Sequence, residues 1–498
     1  MASDKSMHIV MLAAECAPYV KVGGLGDVVG ALPKALVKLG VKVTVVIPAY
    51  SRVHSGAFNI KPCRSIPGFG IPMQSDIEKA VLYQTKIDGT DIDLFLIGSE
   101  KYFDRPGTYD DPVTKEGYPD NMQRFVFFMK AALELLSRLN LPVDVVHCHD
   151  SHTALIPGLL RTVHARNPFF AGVRTLLTIH NIAYQGISSE DALDYAGIDA
   201  RHFYPLSPFE FWGKVNFLKT GIELADKINT VSKTYAQEIR TDPELGMGLE
   251  GVLQRRSRDF SGIINGIDYA EWNPETDPRI PARYSVRDLS GKAECKKNVL
   301  QHFGLPPLRS RVPLIGIVSR LADQKGFDLI EEAIREIAGL DLQLVVLGTG
   351  QKKYQDLFQR IAAGYPDKIA AQFSFDNQLA HRIEAGCDMF LMPSKFEPCG
   401  LNQLYSFRYG TIPIVRATGG LADTVIPYKE TTGSGFSFDR YAAAEMMAAI
   451  KQALAVYQDP DRWVALIKRV MSQDWSWDKS AAQYVQLYRS IPKNSAEG

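Results

Sequence analysis

The sequence predicts an α/β chain of two doubly wound, Rossmann-like domains facing an interdomain cleft. Three observations carry this. Short apolar strands alternate with helical patterns, the alternation starts afresh near Pro313, and each half holds a Gly-Gly-Leu-x-Asp loop between a strand and a helix. Residues 8–13 form the first strand, the glycine-rich loop 21–27 follows, and Val28, Leu32, Leu36 and Leu39 recur at helical spacing. Pro33 falls inside that helix, where its missing N–H predicts a kink. Residues 41–47 supply the next strand and complete a βαβ unit. Residues 143–148 and 175–179 continue the sheet, while the less regular stretch 51–121, with its Asp88-Gly89 turn signal, predicts hairpins. In the second half, residues 314–318, 343–347, 389–392 and 412–415 are strands, separated by helical patterns such as 329–337 and 442–454. The boundary falls near residues 261–266, giving domains 1–262 and 263–473, with the helical, aromatic-rich segment 474–498 packing back on the first.

At 498 residues, 46% of them hydrophobic, the chain can bury two sizeable cores. Its 56 Lys+Arg balance 56 Asp+Glu, which argues against a nucleic-acid partner held by bulk charge. The 6 cysteines are scattered without C-x-x-C spacing, as expected of a reduced, cytoplasmic protein. Neither a signal peptide nor a transit peptide is expected, and no apolar run approaches the roughly 18 residues that span a bilayer.

Three loops at strand ends carry the chemistry. In Lys21-Val22-Gly23-Gly24-Leu25-Gly26-Asp27, paired glycines let backbone N–H groups approach an anion, and the following helix N-terminus adds positive potential. The pattern is neither G-x-G-x-x-G nor a Walker sequence, so a phosphate cradle competes with a tight turn needing positive φ. In Ser319-Arg320-Leu321-Ala322-Asp323-Gln324-Lys325-Gly326, two permanent cations five residues apart converge on a diphosphate or are ordinary surface charges. In Phe396-Glu397-Pro398-Cys399-Gly400-Leu401, Glu397 either binds sugar hydroxyls or complements the dipole of a helix start.

These loops belong to an ordered series. Lys-Val-Gly-Gly-Leu-Gly-Asp at 21–27, His-Asn-Ile-Ala-Tyr-Gln-Gly at 180–186, Asn-Gly-Ile-Asp at 265–268 and Ser-Arg-Leu…Gln-Lys-Gly at 319–326 come first. Ser-Lys-Phe-Glu-Pro-Cys-Gly-Leu at 394–401 and Thr-Gly-Gly-Leu-Ala-Asp-Thr at 418–424 complete it. Over nearly its whole length the chain resembles the bacterial glycogen synthase and plant starch synthase family, glycosyltransferase family 5. The resemblance implies the two-Rossmann GT-B fold and retaining transfer of glucose from ADP-glucose to the 4-hydroxyl of an α-1,4-glucan, with no metal and no cofactor. It implies that Lys21 and the amides of Gly23 and Gly24 meet the diphosphate, that Arg320 and Lys325 stabilise the leaving ADP, and that Glu397 anchors glucose hydroxyls. It places His180 along the sugar site, its backbone carbonyl supporting the cationic sugar, and Asp150 on a sugar hydroxyl. Cys399, Gly400 and Leu401 are implied to hold sugar and phosphate through their backbones, and Phe375 to stack on adenine. Asp27, Asn181, Gln185, Asn265, Tyr405, Gly419 and Gly420 are further candidate substrate-binding positions. The sequence departs from the family at Val22 and Asn402, where threonine is common, and at Ser151, where tryptophan is common. Tyr405 stands where related retaining enzymes carry a second glutamate, so a two-carboxylate mechanism is not expected.

A departing diphosphate gathers negative charge while the sugar turns oxocarbenium-like, and each close cation is worth up to ~4 kcal/mol at an effective dielectric of 20. Lys21, Arg320 and Lys325 therefore take a metal's place, assembled by closure of the cleft. Two alternatives stand beside this reading: another GT-B enzyme such as a glucan phosphorylase, and a non-catalytic glucan-binding scaffold. His147, His149, His152 and Asp150 resemble metal ligands but lack a completing Cys or Glu cluster, so core or cleft-lining histidines are expected. Asp91-Ile92-Asp93 reads as a hairpin arm, Tyr102 and Phe103 as glucan platforms or core, and Trp475 and Trp477 as anchors of the closing helix.

Overall fold

The computed structural model describes residues 6–54, 56, 58–307 and 312–492. It divides into two compact units, Met1–Val231 with Ala236–Asn265 and Trp477–Gly498, and Ser232–Tyr235 with Gly266–Ser476. Three details differ from the sequence reading. Ser232–Tyr235 belongs with the second unit, the first unit runs on from 262 to Asn265, and the second runs on to Ser476. The last six positions of segment 474–498 lie outside the described residues.

A ten-stranded sheet forms the first unit's centre. From one edge its order is Phe260–Gly262, Lys227–Thr230, Arg174–Ile179, Val145–His149, His8–Leu12, Lys42–Pro48, Asp93–Gly98, Asp76–Lys86 and Lys61–Pro62, with Gly68–Met73 also pairing with Asp76–Lys86. The strands from Phe260–Gly262 to Asp93–Gly98 are mutually parallel, and the hairpins within 51–121 add the antiparallel edge. All five residues of His8–Leu12 and of Val145–His149 are buried, as strands covered on both faces must be. The chain winds outward from His8–Leu12 in one direction, then returns to its other side as Val145–His149. The gap between these two strands is therefore the topological switch point, and their carboxyl ends are where an open α/β sheet takes a ligand.

Helix Gly24–Lys38 runs as one element through Pro33. Proline leaves the Val29 carbonyl without its usual donor, and the Cys16 thiol donates to it at 3.6 Å. The closing helix Trp477–Ser490 packs beside Gly24–Lys38 within this unit.

Among the described residues the second unit's sheet has six strands, all parallel, in the order Ile369–Gln372, Gln343–Leu347, Leu314–Val318, Met389–Met392, Ile412–Arg416 and Phe436–Phe438. Its core joins Ile315, Val345, Phe390 and Ile414 from the strands to Phe327, Leu404 and Ile450 from the helices. Here the switch point lies between Leu314–Val318 and Met389–Met392. Trp475 stays with this unit, its ring centroid 5.9 Å from Phe407, whereas Trp477 opens the closing helix of the other. Among the described residues no helix is long and apolar enough to cross a membrane.

Candidate active site

The carboxyl ends at the first unit's switch point release the glycine loop and Asp150. Gly23 precedes helix Gly24–Lys38 with φ −145°, and none of Gly23, Gly24 or Gly26 has positive φ, so a turn requirement does not explain these glycines. A Cβ on Gly23 would meet nothing within 4 Å, while one on Gly26 would touch Glu15, Lys21 and Val20 at 3.2 Å. Glu15, only 3% exposed, organises the loop. One of its oxygens accepts the amides of Val22 at 2.6 Å and Gly23 at 3.0 Å, and the other accepts the Tyr109 hydroxyl at 2.7 Å. Burial raises its pKa against those bonds. The Gly23 amide, expected at a phosphate, thus donates to Glu15 in this structure, and Lys21 pairs with Asp27 at 2.6 Å. Sequence reasoning passed over Glu15 because a lone acid just beyond a strand carries no pattern; its only signal is its place between that strand and the loop.

Asp150, at φ +57°, turns its carboxylate back to accept the amides of His180 at 2.7 Å and of Asn181. Burial outweighs those two bonds and lifts its pKa to about 7. Burial holds His180 down at about 3, so its ring is neutral. Gln185 is engaged inside the unit, donating to the Met247 carbonyl at 3.1 Å and accepting from Asn216 at 2.7 Å. Asn265 is buried, its side-chain oxygen without a hydrogen-bond partner among the described residues. Among the described residues no group of three or more His, Cys, Asp or Glu could hold a metal ion. His152 instead packs between Tyr109 and Phe125, at ring centroid distances of 4.8 and 4.5 Å. Tyr102 and Phe103, 2% and 0% exposed, are core residues and offer no ring to a glucan. Asp93 pairs with Lys86 across the hairpin at 2.6 Å.

In the second unit the switch point collects Arg320, Lys325 and Glu397. Arg320 is exposed just past Leu314–Val318. Lys325 Nζ lies 2.6 Å from Glu397 Oε2, which also accepts the Ser394 hydroxyl at 2.9 Å. The two loops are locked by backbone contacts. The Lys395 amide donates to the Gln324 carbonyl at 2.8 Å, and Gly326, at φ +73°, leaves no room for a Cβ beside the Pro393 carbonyl. Glu397 stands five residues before helix Asn402–Tyr409, so complementing a helix dipole is not its role. Asn402 donates to the Val318 carbonyl at 2.5 Å and ties that helix to the first strand.

Gly419 and Gly420 press against the same loop. Their added Cβ atoms would fall 2.0 Å from the Glu397 carbonyl and 1.9 Å from that of Cys399, and the Gly420 amide donates to Glu397 at 3.0 Å. Beyond this contact, Asp423 accepts the amides of Lys233 at 2.6 Å and Thr234 at 3.1 Å. Gly400 adopts φ +67°, while Cys399 and Gly400 offer their carbonyls to the Gln403 amide at 3.0 and 2.9 Å. Leu401 opens the helix. The ring of Tyr405, 6% exposed, stacks on Trp272 at 3.7 Å and 10°, with His381 on the indole's other face at the same spacing. Its ring is a packing surface, a role the sequence reading did not foresee. Phe375 is 73% exposed beyond strand Ile369–Gln372.

The comparisons with known proteins agree with this geometry. The model of the starch synthase catalytic domain matches residues 8–255, and that of glycosyl transferases group 1 matches residues 304–469. A glycogen synthase of Anaeromyxobacter sp. is 46% identical over 97% of this chain and 99% of its own. One from Koribacter versatilis is 44% identical over 97% and 98%. The catalytic domain of starch synthase IV from Arabidopsis thaliana, solved with ADP and acarbose, superposes with a TM-score of 0.89 at 35% identity, covering 98% of this chain and 99% of that one. With two Rossmann-like sheets, cationic and carboxylate loops at their switch points and relatives matched end to end, the chain belongs to the glycogen and starch synthase family of GT-B glucosyltransferases, which extend a glucan.

Proposed function

We propose that the chain transfers glucose from ADP-glucose, with retention, to the 4-hydroxyl at the end of an α-1,4-glucan, without metal or cofactor. The Lys325–Glu397 pair at the second unit's switch point carries this reading. When donor binds, Lys325 shares its charge with the diphosphate and Glu397 turns its lone pairs to glucose hydroxyls. Arg320 and Lys21 add permanent or near-permanent charge where the leaving group becomes more negative, each close pair contributing up to ~4 kcal/mol at an effective dielectric of 20. Asp150 receives a sugar hydroxyl, and the neutral His180 ring places no repelling charge beside an oxocarbenium-like carbon. Support for the adenine nucleotide comes from the Arabidopsis relative, whose structure holds ADP, and from the exposed Phe375 ring, which is free of core packing.

The test offers labelled ADP-glucose, UDP-glucose and glucose 1-phosphate in parallel to glycogen or a maltooligosaccharide, with EDTA controls. Label entering polymer from ADP-glucose, undiminished by EDTA, is expected. Incorporation from glucose 1-phosphate alone replaces this reading with a phosphorylase, and incorporation from none of the three leaves a binding scaffold.

A further inference from the structure

His147 and His149 have no part in the transfer chemistry above, yet both are fully buried next to His180. They share one face of strand Val145–His149, ring centroids 4.0 Å apart. His149 Nδ1 lies 3.0 Å from His180 Nε2.

Beneath them runs a hydrogen-bond chain whose direction is fixed by its donors. The Asn229 side-chain nitrogen donates to the Tyr484 hydroxyl at 3.1 Å, so its Oδ1 is the acceptor that takes the Thr178 proton at 2.6 Å. Having given its only proton, Thr178 Oγ1 accepts from His147 Nε2 at 2.6 Å. A neutral His147 then has a bare Nδ1, which receives the Tyr488 hydroxyl at 2.9 Å. Burial keeps His147 and His149 well below the usual histidine range, hence neutral. His149 Nε2 has no hydrogen-bond partner among the described residues, and a bare lone pair there costs less than an orphaned N–H. The proton therefore sits on Nδ1 and is donated to His180.

We propose that the closing helix Trp477–Ser490 positions His180 for transfer: Tyr488 and Tyr484 fix the ring of His147 and the Thr178–Asn229 pair, His147 is the wall for His149, and His149 aims His180. Tyr488, Thr178 and His149 are positioning residues, acting through His180. The inference rests on His180 lining the sugar site.

The experiment measures kcat, both KM values and the ring ¹⁵N resonances of histidine-labelled full-length protein. Tyr488→Phe and the isosteric Thr178→Val should each lower kcat about fivefold to tenfold, with KM for ADP-glucose and glucan held within about twofold, and should shift the His180 resonances. Thr178→Ser, which restores the hydroxyl, should recover the loss, and Gln486→Ala on the helix's exposed face should move nothing. Unmoved His180 resonances in both variants overturn the proposal, as does wild-type turnover in both. His180→Ala separates this from the site reading. Full turnover there shows that the His180 ring takes no part at the sugar site and removes the reading this rests on, whereas an inactive His180→Ala beside fully active Tyr488→Phe and Thr178→Val defeats the positioning role alone.

Discussion

The two units carry the same five-residue echo in loops that follow a strand and lead into a helix, and they use it differently. In Gly23-Gly24-Leu25-Gly26-Asp27 the first glycine is open, with nothing within 4 Å of an added Cβ, and its amide is steadied by the buried Glu15. In Gly419-Gly420-Leu421-Ala422-Asp423 the glycines are crushed against the carbonyls of Glu397 and Cys399. One loop leaves its surface clear; the other gives up its surface to hold a carboxylate loop in place. The charges differ in the same way. The first switch point gathers a buried acid and neutral histidines, the second a lysine–glutamate pair and an exposed arginine. A shared motif therefore does not report a shared backbone: Gly23 is extended at φ −145°, whereas Gly419 is left-handed at φ +46°.

The largest expected effect tests the second unit's half of this contrast. The side chains of Lys325 and Glu397 are 17% and 9% exposed, so removing either leaves a mostly buried charge without its partner, at a cost of about 3–5 kcal/mol. Glu397→Ala and Lys325→Ala should each reduce kcat by about 10²–10³-fold, the scale of losing one preorganised electrostatic group. Combining Lys325→Met with Glu397→Gln removes both charges at once. Urea unfolding of that double variant should recover most of the lost stability while transfer stays lost. Activity returning with stability would show the pair to be structural and erase the difference between the units.

The first unit's contrast is sharpened by pH. Asp150 has a folded pKa near 7, against about 4 when unfolded, so between those values the folded state holds a proton that the unfolded state has lost. Its contribution is thus a penalty that grows as pH rises from about 4 to about 7. Relative to wild type, Asp150→Asn should be stabilised at pH 8 over pH 5 by an increment on the order of 1–3 kcal/mol, read from urea midpoints at both pH values, while turnover falls. A constant difference between the two pH values would mean that the carboxylate is ionised throughout.

How much of this was legible in the sequence follows from which forces are local. Strands Leu314–Val318, Gln343–Leu347 and Met389–Met392 coincide with their predicted limits because each is a largely apolar, buried run closed on its far side by Ser319, Gly348 or Pro393. The candidate cations and carboxylate at 320, 325 and 397 were found because strand ends of an α/β sheet are where ligands bind. What stayed hidden is tertiary. Nothing near Tyr405 announces that Trp272, more than a hundred positions earlier, stacks on its ring. Nothing near Val22 announces that Glu15 accepts its amide, and nothing near Pro33 that a thiol from outside the helix donates to the Val29 carbonyl. The packing of Gly419 and Gly420 against the Glu397 and Cys399 carbonyls was hidden too, because sequence shows that glycine is present but not which neighbour needs the space.

That last point gives the smallest and most discriminating prediction. Gly420→Ala would set a methyl group 1.9 Å from the Cys399 carbonyl, and because the obstacle is backbone, no side-chain rotation relieves it. The loop carrying Glu397 must shift, at a cost of about 1–3 kcal/mol, and kcat should fall with stability. Gly23→Ala adds the same methyl at φ −145°, where any residue is comfortable and no atom lies within 4 Å, so its stability should stay within about 0.5 kcal/mol of wild type. If the open face of that loop receives the diphosphate, its effect should appear instead as a raised KM for ADP-glucose at unchanged kcat, because a methyl in empty space obstructs only what arrives there. Equal and purely structural losses in the two variants would mean that both loops are packing elements and that the open surface of the first binds nothing.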